Sequence, residues 1–142
     1  MAGLVETYRG VAYPWLCDSM GHMNTQHYAA MYDSAVFHLL AMISAAPEEM
    51  ATRKLGWADV RQVIEYHKEV RSGILLVIRS GVVRIGNKSV EHRHEMRGAF
   101  GDVLHSTLEG VTAFFDLEKR AAAPLEDWIR EKASALLLPP AP

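Results

Sequence analysis

The sequence predicts an α+β fold in which a curled antiparallel sheet closes around one long helix. Three observations carry this reading. The stretch from Asn24 to about Ser44 is apolar almost all round, as in a helix buried on most faces. The stretch from Trp57 to Asp116 reads as long strands joined by short turns, an antiparallel meander. A single strand precedes the helix, so the order is strand, long helix, meander. In 142 residues the wrapper for such a helix is a sheet.

The elements follow in order. Thr7 to Tyr13 holds Thr, Tyr and Val in a short run and reads as a strand. Pro14 stops its ladder, because proline has no N–H to donate. Trp15 to Met23 is an ordered loop with a tight bend at Gly21. Asn24 or Thr25 then caps the helix, since a side-chain oxygen can accept from a free first-turn N–H. The core stripe is Tyr28, Met31, Tyr32, Ala35, Leu39 and Met42, spaced by three and four. Ala29, Ala30, Val36, Phe37, Leu40 and Ile43 make the other sides apolar too.

Pro47, Glu48 and Glu49 open a short second helix ending near Gly56, because proline suits the first position and acids suit the positive dipole end. Strands are expected over Val60 to Val70, Ile74 to Ile85, Ser89 to Phe100 and Val103 to Asp116. Gly86-Asn87 and Gly101-Asp102 supply turns. In the third of these strands Val90, His92, His94, Met96 and Phe100 face one way, and Glu91, Arg93, Glu95 and Arg97 the other. A C-terminal helix over about 124–136 carries Leu125, Trp128 and Ile129 on one side, and residues 137–142 are expected to fray.

Composition narrows the function. The length suits one domain. A formal net charge of −2, with no Lys/Arg run, argues against nucleic acid as a partner. No apolar run approaches the roughly 18–20 residues that span a bilayer. Cys17 is the only cysteine, so no internal disulfide is possible, and a reducing cytoplasmic location is expected. Cys17 reads as a small buried side chain before it reads as a nucleophile. His92 and His94 share a strand face, but no third ligand stands at a metal-binding spacing, so no metal is expected. No phosphate-loop glycine pattern is present.

Chemistry concentrates in Cys17-Asp18-Ser19-Met20-Gly21-His22-Met23-Asn24-Thr25-Gln26-His27-Tyr28. It joins a carboxylate and two imidazoles to a helix N-terminus, whose unpaired N–H groups favour negative charge. That is what hydrolysis of an activated acyl group needs: a nucleophile or base, and donors for the developing oxyanion. Asp18 fits the first role, either attacking the carbonyl or activating water; its competing reading is a turn cap. Asn24 fits a cap as well as it fits a contact to substrate. His22, His27 and Tyr28 are candidate pocket residues. Glu65 and His67 share a strand face, with Glu65 a reserve carboxylate. Arg84, Lys88 and Arg93 gather near one hairpin, where they fit either phosphate groups or ordinary cross-strand ion pairs.

Asp18-x-x-Gly21-His22-x-Asn24-x-x-x-Tyr28 at the head of the long helix resembles the hotdog-fold acyl-CoA thioesterases of the 4-hydroxybenzoyl-CoA thioesterase type. Ile64-Glu65-Tyr66 and the hairpin Arg84-Ile85-Gly86-Asn87-Lys88-Ser89 add to the likeness, which covers residues 5–120. The Gly-His-x-Asn form is also similar to acyl carrier protein thioesterases, which leaves the carrier open. The resemblance implies that Asp18 is the catalytic carboxylate and that backbone N–H near Thr25 holds the thioester oxygen. It implies a substrate of acyl-CoA, with CoA phosphates near Arg84, Lys88, Ser89 and Arg93 and no further cofactor. It also implies a homodimer or homotetramer with active sites between subunits. Two other readings compete. A hydratase or dehydratase of the same fold pairs its Asp with a His five residues on; here that position is Met23. A non-catalytic thioester-binding protein would tolerate loss of Asp18.

Overall fold

The computed structural model describes residues 3–140. The elements are β1 (Val5–Val11), α1 (Thr25–Ile43), α2 (Pro47–Thr52), β2 (Leu55–Tyr66), β3 (Leu75–Ile85), β4 (Ser89–Gly98), β5 (Leu104–Asp116), β6 (Ala121–Ala122) and α3 (Asp127–Ala135). A 3-10 turn at Pro14–Leu16 follows β1.

The sheet is antiparallel throughout, in the order β1-β3-β4-β5-β2, with β6 on β5. The meander β3-β4-β5 is its centre. β1 and β2 are its two edges, so the segment holding α1 and α2 must cross from one edge to the other. α1 makes that crossing and packs on β1 and β3. Tyr28, Met31, Tyr32 and Ala35 from α1 meet Leu76, Ile78, Met96 and Leu108 from the sheet in one core cluster. Val36, Leu40 and Ile43 join Val82, Val90, Phe114 and Ile129 in a second. This is the curled sheet around one helix that the hydrophobic pattern requires. No helix among the described residues is long and apolar enough to cross a membrane.

Several boundaries differ from the sequence expectation. β2 begins at Leu55, five residues before Val60, and ends at Tyr66, before Val70. The cause at its start is Lys54, at φ 58°, which reverses the chain just after α2. At the other end Val70 leaves the sheet, and its carbonyl accepts from Met23 N–H at 2.7 Å. α3 begins at Asp127, because Leu125 stays outside the helix and is buried in the second core cluster. Phe100 does not face inward with Met96; β4 ends at Gly98 and Phe100 sits on the turn, 80% exposed. α1 is not covered on every side, for Phe37 is 64% exposed and Met42 44%. The tail is held at its start: Leu138 N–H donates to Val82 O at 2.7 Å, and Leu136 O accepts from Val82 N–H at 3.0 Å. Ala141 and Pro142 lie outside the described residues.

The inner face of β4 carries a polar seam. His92 and His94 are buried there, and their rings bond each other, Nδ1 to Nε2, at 2.7 Å. The remaining ring nitrogens go to Thr112 and Ser80. All four are thus used within the sheet. Gly110 makes the room: a Cβ there would lie 2.5 Å from the His92 ring. Burial pushes His92 down to about 4 and His94 to about 3, so both are neutral at ordinary pH.

Candidate active site

The loop before α1 is folded by its own polar groups. Gly21 adopts φ 82°, a left-handed bend that suits glycine. That bend lets Gly21 N–H reach Asp18 O at 3.0 Å and Asp18 N–H reach His22 O at 3.0 Å. Short bridges then tie Cys17 to Met23 and His22 to Arg71. The loop is therefore strapped to the segment after β2.

Asp18 holds its carboxylate in place with two bonds. Oδ1 accepts from Met20 N–H at 2.9 Å, and Oδ2 accepts from Asn24 Nδ2 at 2.9 Å. The Asn24 amide is the larger cause, and the Met20 N–H the next, of an Asp18 pKa below the ordinary carboxylate value. Asn24 also caps α1, its Oδ1 accepting from Gln26 N–H at 3.1 Å. One side chain thus joins the carboxylate to the helix start. The Thr25 N–H, next along, has no acceptor among the described residues.

His22 stands between two carboxylates. Its Nδ1 is 3.0 Å from Glu69 Oε2 and its Nε2 is 4.0 Å from Asp18 Oδ1. Glu69 in turn pairs with Arg71 at 2.8 Å, and its pKa is lowered, first by the His22 bond and then by the Arg71 charge. A pocket of about 290 Å3 opens beside this group, lined by His22, Thr25, Tyr28, Tyr66, Lys68 and Glu69 among others. Tyr28 is buried and meets Tyr66 edge to face, with ring centroids 4.9 Å apart.

The structure thus gathers Asp18, His22, Asn24, Thr25 and Tyr28 at one end of α1, with His22, Thr25 and Tyr28 lining the pocket and Asp18 and Asn24 beside it, outside the lining. His27 is only partly buried and lies outside the pocket lining. Glu65 is exposed on β2 and outside the lining too. His67 does line the pocket, its Nε2 3.2 Å from Thr107 Oγ1. Glu69, Lys68 and Tyr66 escaped the sequence reading as site residues. The signals for them were the Ile64-Glu65-Tyr66 likeness, for Tyr66, and the place of all three at the end of the strand expected over Val60 to Val70.

Arg84, Lys88, Ser89 and Arg93 lie elsewhere. They belong to the β3-β4 hairpin, whereas Asp18 lies beyond the other end of β3, where Val11 pairs with Leu75. Eleven residues of β3 at about 3.3 Å each put roughly 33 Å between the two ends. Arg84 pairs with Glu91 at 3.0 Å, and Arg93 with Glu109 at 2.9 Å and Glu95 at 3.2 Å. Among the described residues, no group of three or more His, Cys, Asp or Glu side chains is placed to hold a metal ion.

A family model described as the thioesterase-like superfamily matches residues 12–133. The chain belongs to that superfamily. Thioester hydrolysis is its reaction class. No curated protein matches the sequence. Solved structures show the fold. A predicted thioesterase from Bacillus stearothermophilus superposes with a TM-score of 0.84 at 17% identity, over 98% of this chain and 100% of that one. A 1,4-dihydroxy-2-naphthoyl-CoA thioesterase from Synechocystis gives 0.79 at 16%, over 96% and 100%. A thioesterase from Thermus thermophilus, complexed with coenzyme A and Zn, gives 0.78 at 21%, over 96% of each chain. This thioesterase-like chain therefore shares the hotdog architecture with all three.

Proposed function

We propose that this thioesterase hydrolyses acyl-CoA to a free acid and CoA, with Asp18 as its catalytic carboxylate. The observation that carries the proposal is the join between Asp18 and the start of α1. The carboxylate is kept ionised by Asn24 and Met20, and the neighbouring Thr25 N–H has no protein acceptor among the described residues. A thioester carbonyl set there meets an anion from one side and an oxyanion donor from the other.

Two routes use this geometry. In the first, Asp18 attacks the carbonyl carbon, the C–S bond breaks, and water then cleaves the mixed anhydride. In the second, Asp18 takes a proton from water, which attacks directly. In both, the CoA thiolate leaves and picks up a proton. With Nδ1–H donating to Glu69, His22 presents Nε2 on the Asp18 side and can carry that proton.

The active unit in this proposal is a dimer. β2 is an edge strand of twelve residues, with Val60 66%, Val63 37% and Tyr66 51% exposed. An exposed apolar edge of this length calls for a partner strand. Two copies paired antiparallel about a two-fold axis set Tyr66 of one subunit against the Leu55–Trp57 end of the other. The partner subunit's β3-β4 hairpin then comes to the same end, within reach of a CoA bound at this Asp18. That is the one way in which Arg84, Lys88, Ser89 and Arg93 serve the site.

The test is thiol release from a panel of acyl- and aroyl-CoA esters, beside the same acyl groups on carrier protein. Hydrolysis of CoA esters with free acid as product is the expected result. Hydration of a 2-enoyl ester, or tight binding without turnover, would overturn it; faster hydrolysis of the carrier-protein esters would change the carrier. A single turnover in isotopically heavy water tests the anhydride route: water that opens the anhydride at the Asp18 carbonyl carbon leaves an enzyme oxygen in the acid and a heavy oxygen on Asp18, which the general-base route never does.

A further inference from the structure

The end of α1 opposite Asp18 carries a second opening. An apolar groove of about 300 Å3 runs between the last turns of α1, α2 and the start of β2, walled by Phe37, Leu40, Met50, Leu55 and Trp57. The Trp57 indole is fixed there, donating from Nε1 to Ser44 Oγ at 3.2 Å and meeting Phe114 edge to face at 5.3 Å. One ionisable group lines the groove, and it is acidic: Asp59.

Asp59 brings no counter-charge of its own to the groove. Among the described residues no Lys, Arg or His lies within 4.0 Å of its carboxylate, although Arg61 is two residues on. Its one hydrogen bond is to Oδ1, from Thr112 Oγ1 at 3.0 Å. That bond is the end of a chain crossing the whole sheet. Thr112 gives its only proton to Asp59, so it accepts from His92 Nε2, 2.8 Å away. His92 Nδ1 must then accept from His94 Nε2, and His94 Nδ1 from Ser80 Oγ. Ser80 Oγ also lies 2.7 Å from Thr7 Oγ1, a hydroxyl that has Ile78 O as a second acceptor at 3.3 Å. From Ser80 onward every proton in the chain points toward Asp59, and the two histidines that could have balanced its charge are held neutral. A bulge between Asp59 and Arg61 sets this part of β2 apart from the regular ladder.

We infer that this groove takes an acyl group ending in a cationic head, a quaternary or protonated amine, with Asp59 as the counter-charge. The physical reason is desolvation. A neutral acyl group covering Asp59 would strip water from an unpaired carboxylate, which is costly. A cationic head replaces that water with an opposite charge and lies beside the Trp57 and Phe37 rings, which also favour a cation. The inference rests on the hydrolase reading above, because antiparallel pairing of β2 turns this groove toward the partner subunit's Asp18. The site for one acyl group is then built from two chains, reaction at one and selection at the other.

The test compares two CoA esters of equal shape, 4-(trimethylammonio)butyryl-CoA and 5,5-dimethylhexanoyl-CoA, which differ by a quaternary nitrogen in place of a carbon. The expected kcat/KM ratio favours the cation by about tenfold or more, as for close charge pairs. Asp59→Asn should bring the ratio near one, and Asp59→Lys should invert it; a melting curve and a size measurement confirm that each variant folds and pairs as wild type does. A wild-type ratio at or below one, or a ratio unchanged in both variants, would overturn the inference. If neither these esters nor any of the panel turns over, titration calorimetry decides: a cation preference in binding that Asp59→Asn removes keeps the groove assignment and overturns the hydrolase reading, whereas equal binding overturns both.

Discussion

Two hydrogen-bonded systems in this molecule use the same residue types to different ends. At the start of α1, His22 stands between Asp18 and Glu69, partly open to solvent. Under α1, His92 and His94 stand between Ser80 and Thr112, in the core of the sheet. The first leaves the Thr25 N–H without an acceptor among the described residues and a carboxylate ionised beside a pocket. The second spends every ring nitrogen on a neighbour and keeps both rings neutral. The difference teaches that histidine chemistry here is decided by what remains unspent. In the proposed mechanism the open system serves reaction. The closed one holds the sheet and aims its last carboxylate.

Substitutions should separate the two. His94→Leu strands partners on both sides in the core, and should cost about 2–4 kcal/mol of stability by urea titration while the folded fraction keeps its kcat. His22→Ala should do the opposite. Its expected loss is about 100-fold in kcat, the scale of a proton-transfer group, with stability within about 0.5 kcal/mol of wild type.

The pH dependence sharpens the contrast. Above pH 6.5, the ordinary histidine value, His92 and His94 are neutral in both the folded and the unfolded chain. Below it the unfolded chain takes up protons that the folded one refuses, until about 4 for His92 and about 3 for His94. Stability should therefore fall as pH drops from 6.5 toward 4. Melting temperatures across that range should show the fall in wild type and a shallower one in His94→Leu.

Smaller effects follow. Asn24→Ala removes the α1 cap and should cost about 1 kcal/mol, with a loss of kcat as Asp18 is freed. Tyr32→Phe should change stability by no more than about 0.5 kcal/mol. Among the described residues the buried Tyr32 hydroxyl has no partner in hydrogen-bond geometry: Ser106 and the Met96 backbone stand near it, but Ser106 already donates to Glu65 O at 2.7 Å. A loss above about 2 kcal/mol would mean that this hydroxyl is bonded after all.

The fold was legible because its signals are local. Spacing of three and four drew α1, and alternation drew β4, whose inner face holds Val90, His92, His94 and Met96 as expected. Asp18 and Asn24 were legible for the same reason, being six residues apart on one loop. Glu69 was not, since it stands 47 residues from His22 and reaches it only through the loop's bridge to Arg71. Asp59 falls one residue before the strand expected over Val60 to Val70 and carries no signal of its own; only the early start of β2 and its pairing with β5 bring it to Thr112. The hairpin bases were legible as a cluster, but their distance from Asp18 depends on strand direction, which composition does not reveal.

The most direct test of the account is kcat/KM for acyl-CoA hydrolysis by Asp18→Asn beside wild type, with the melting temperature of each. The account predicts a loss of at least about 100-fold in a variant that still folds and binds CoA ester. Activity within twofold of wild type would contradict it, and would reduce Asp18 to the cap of its own loop.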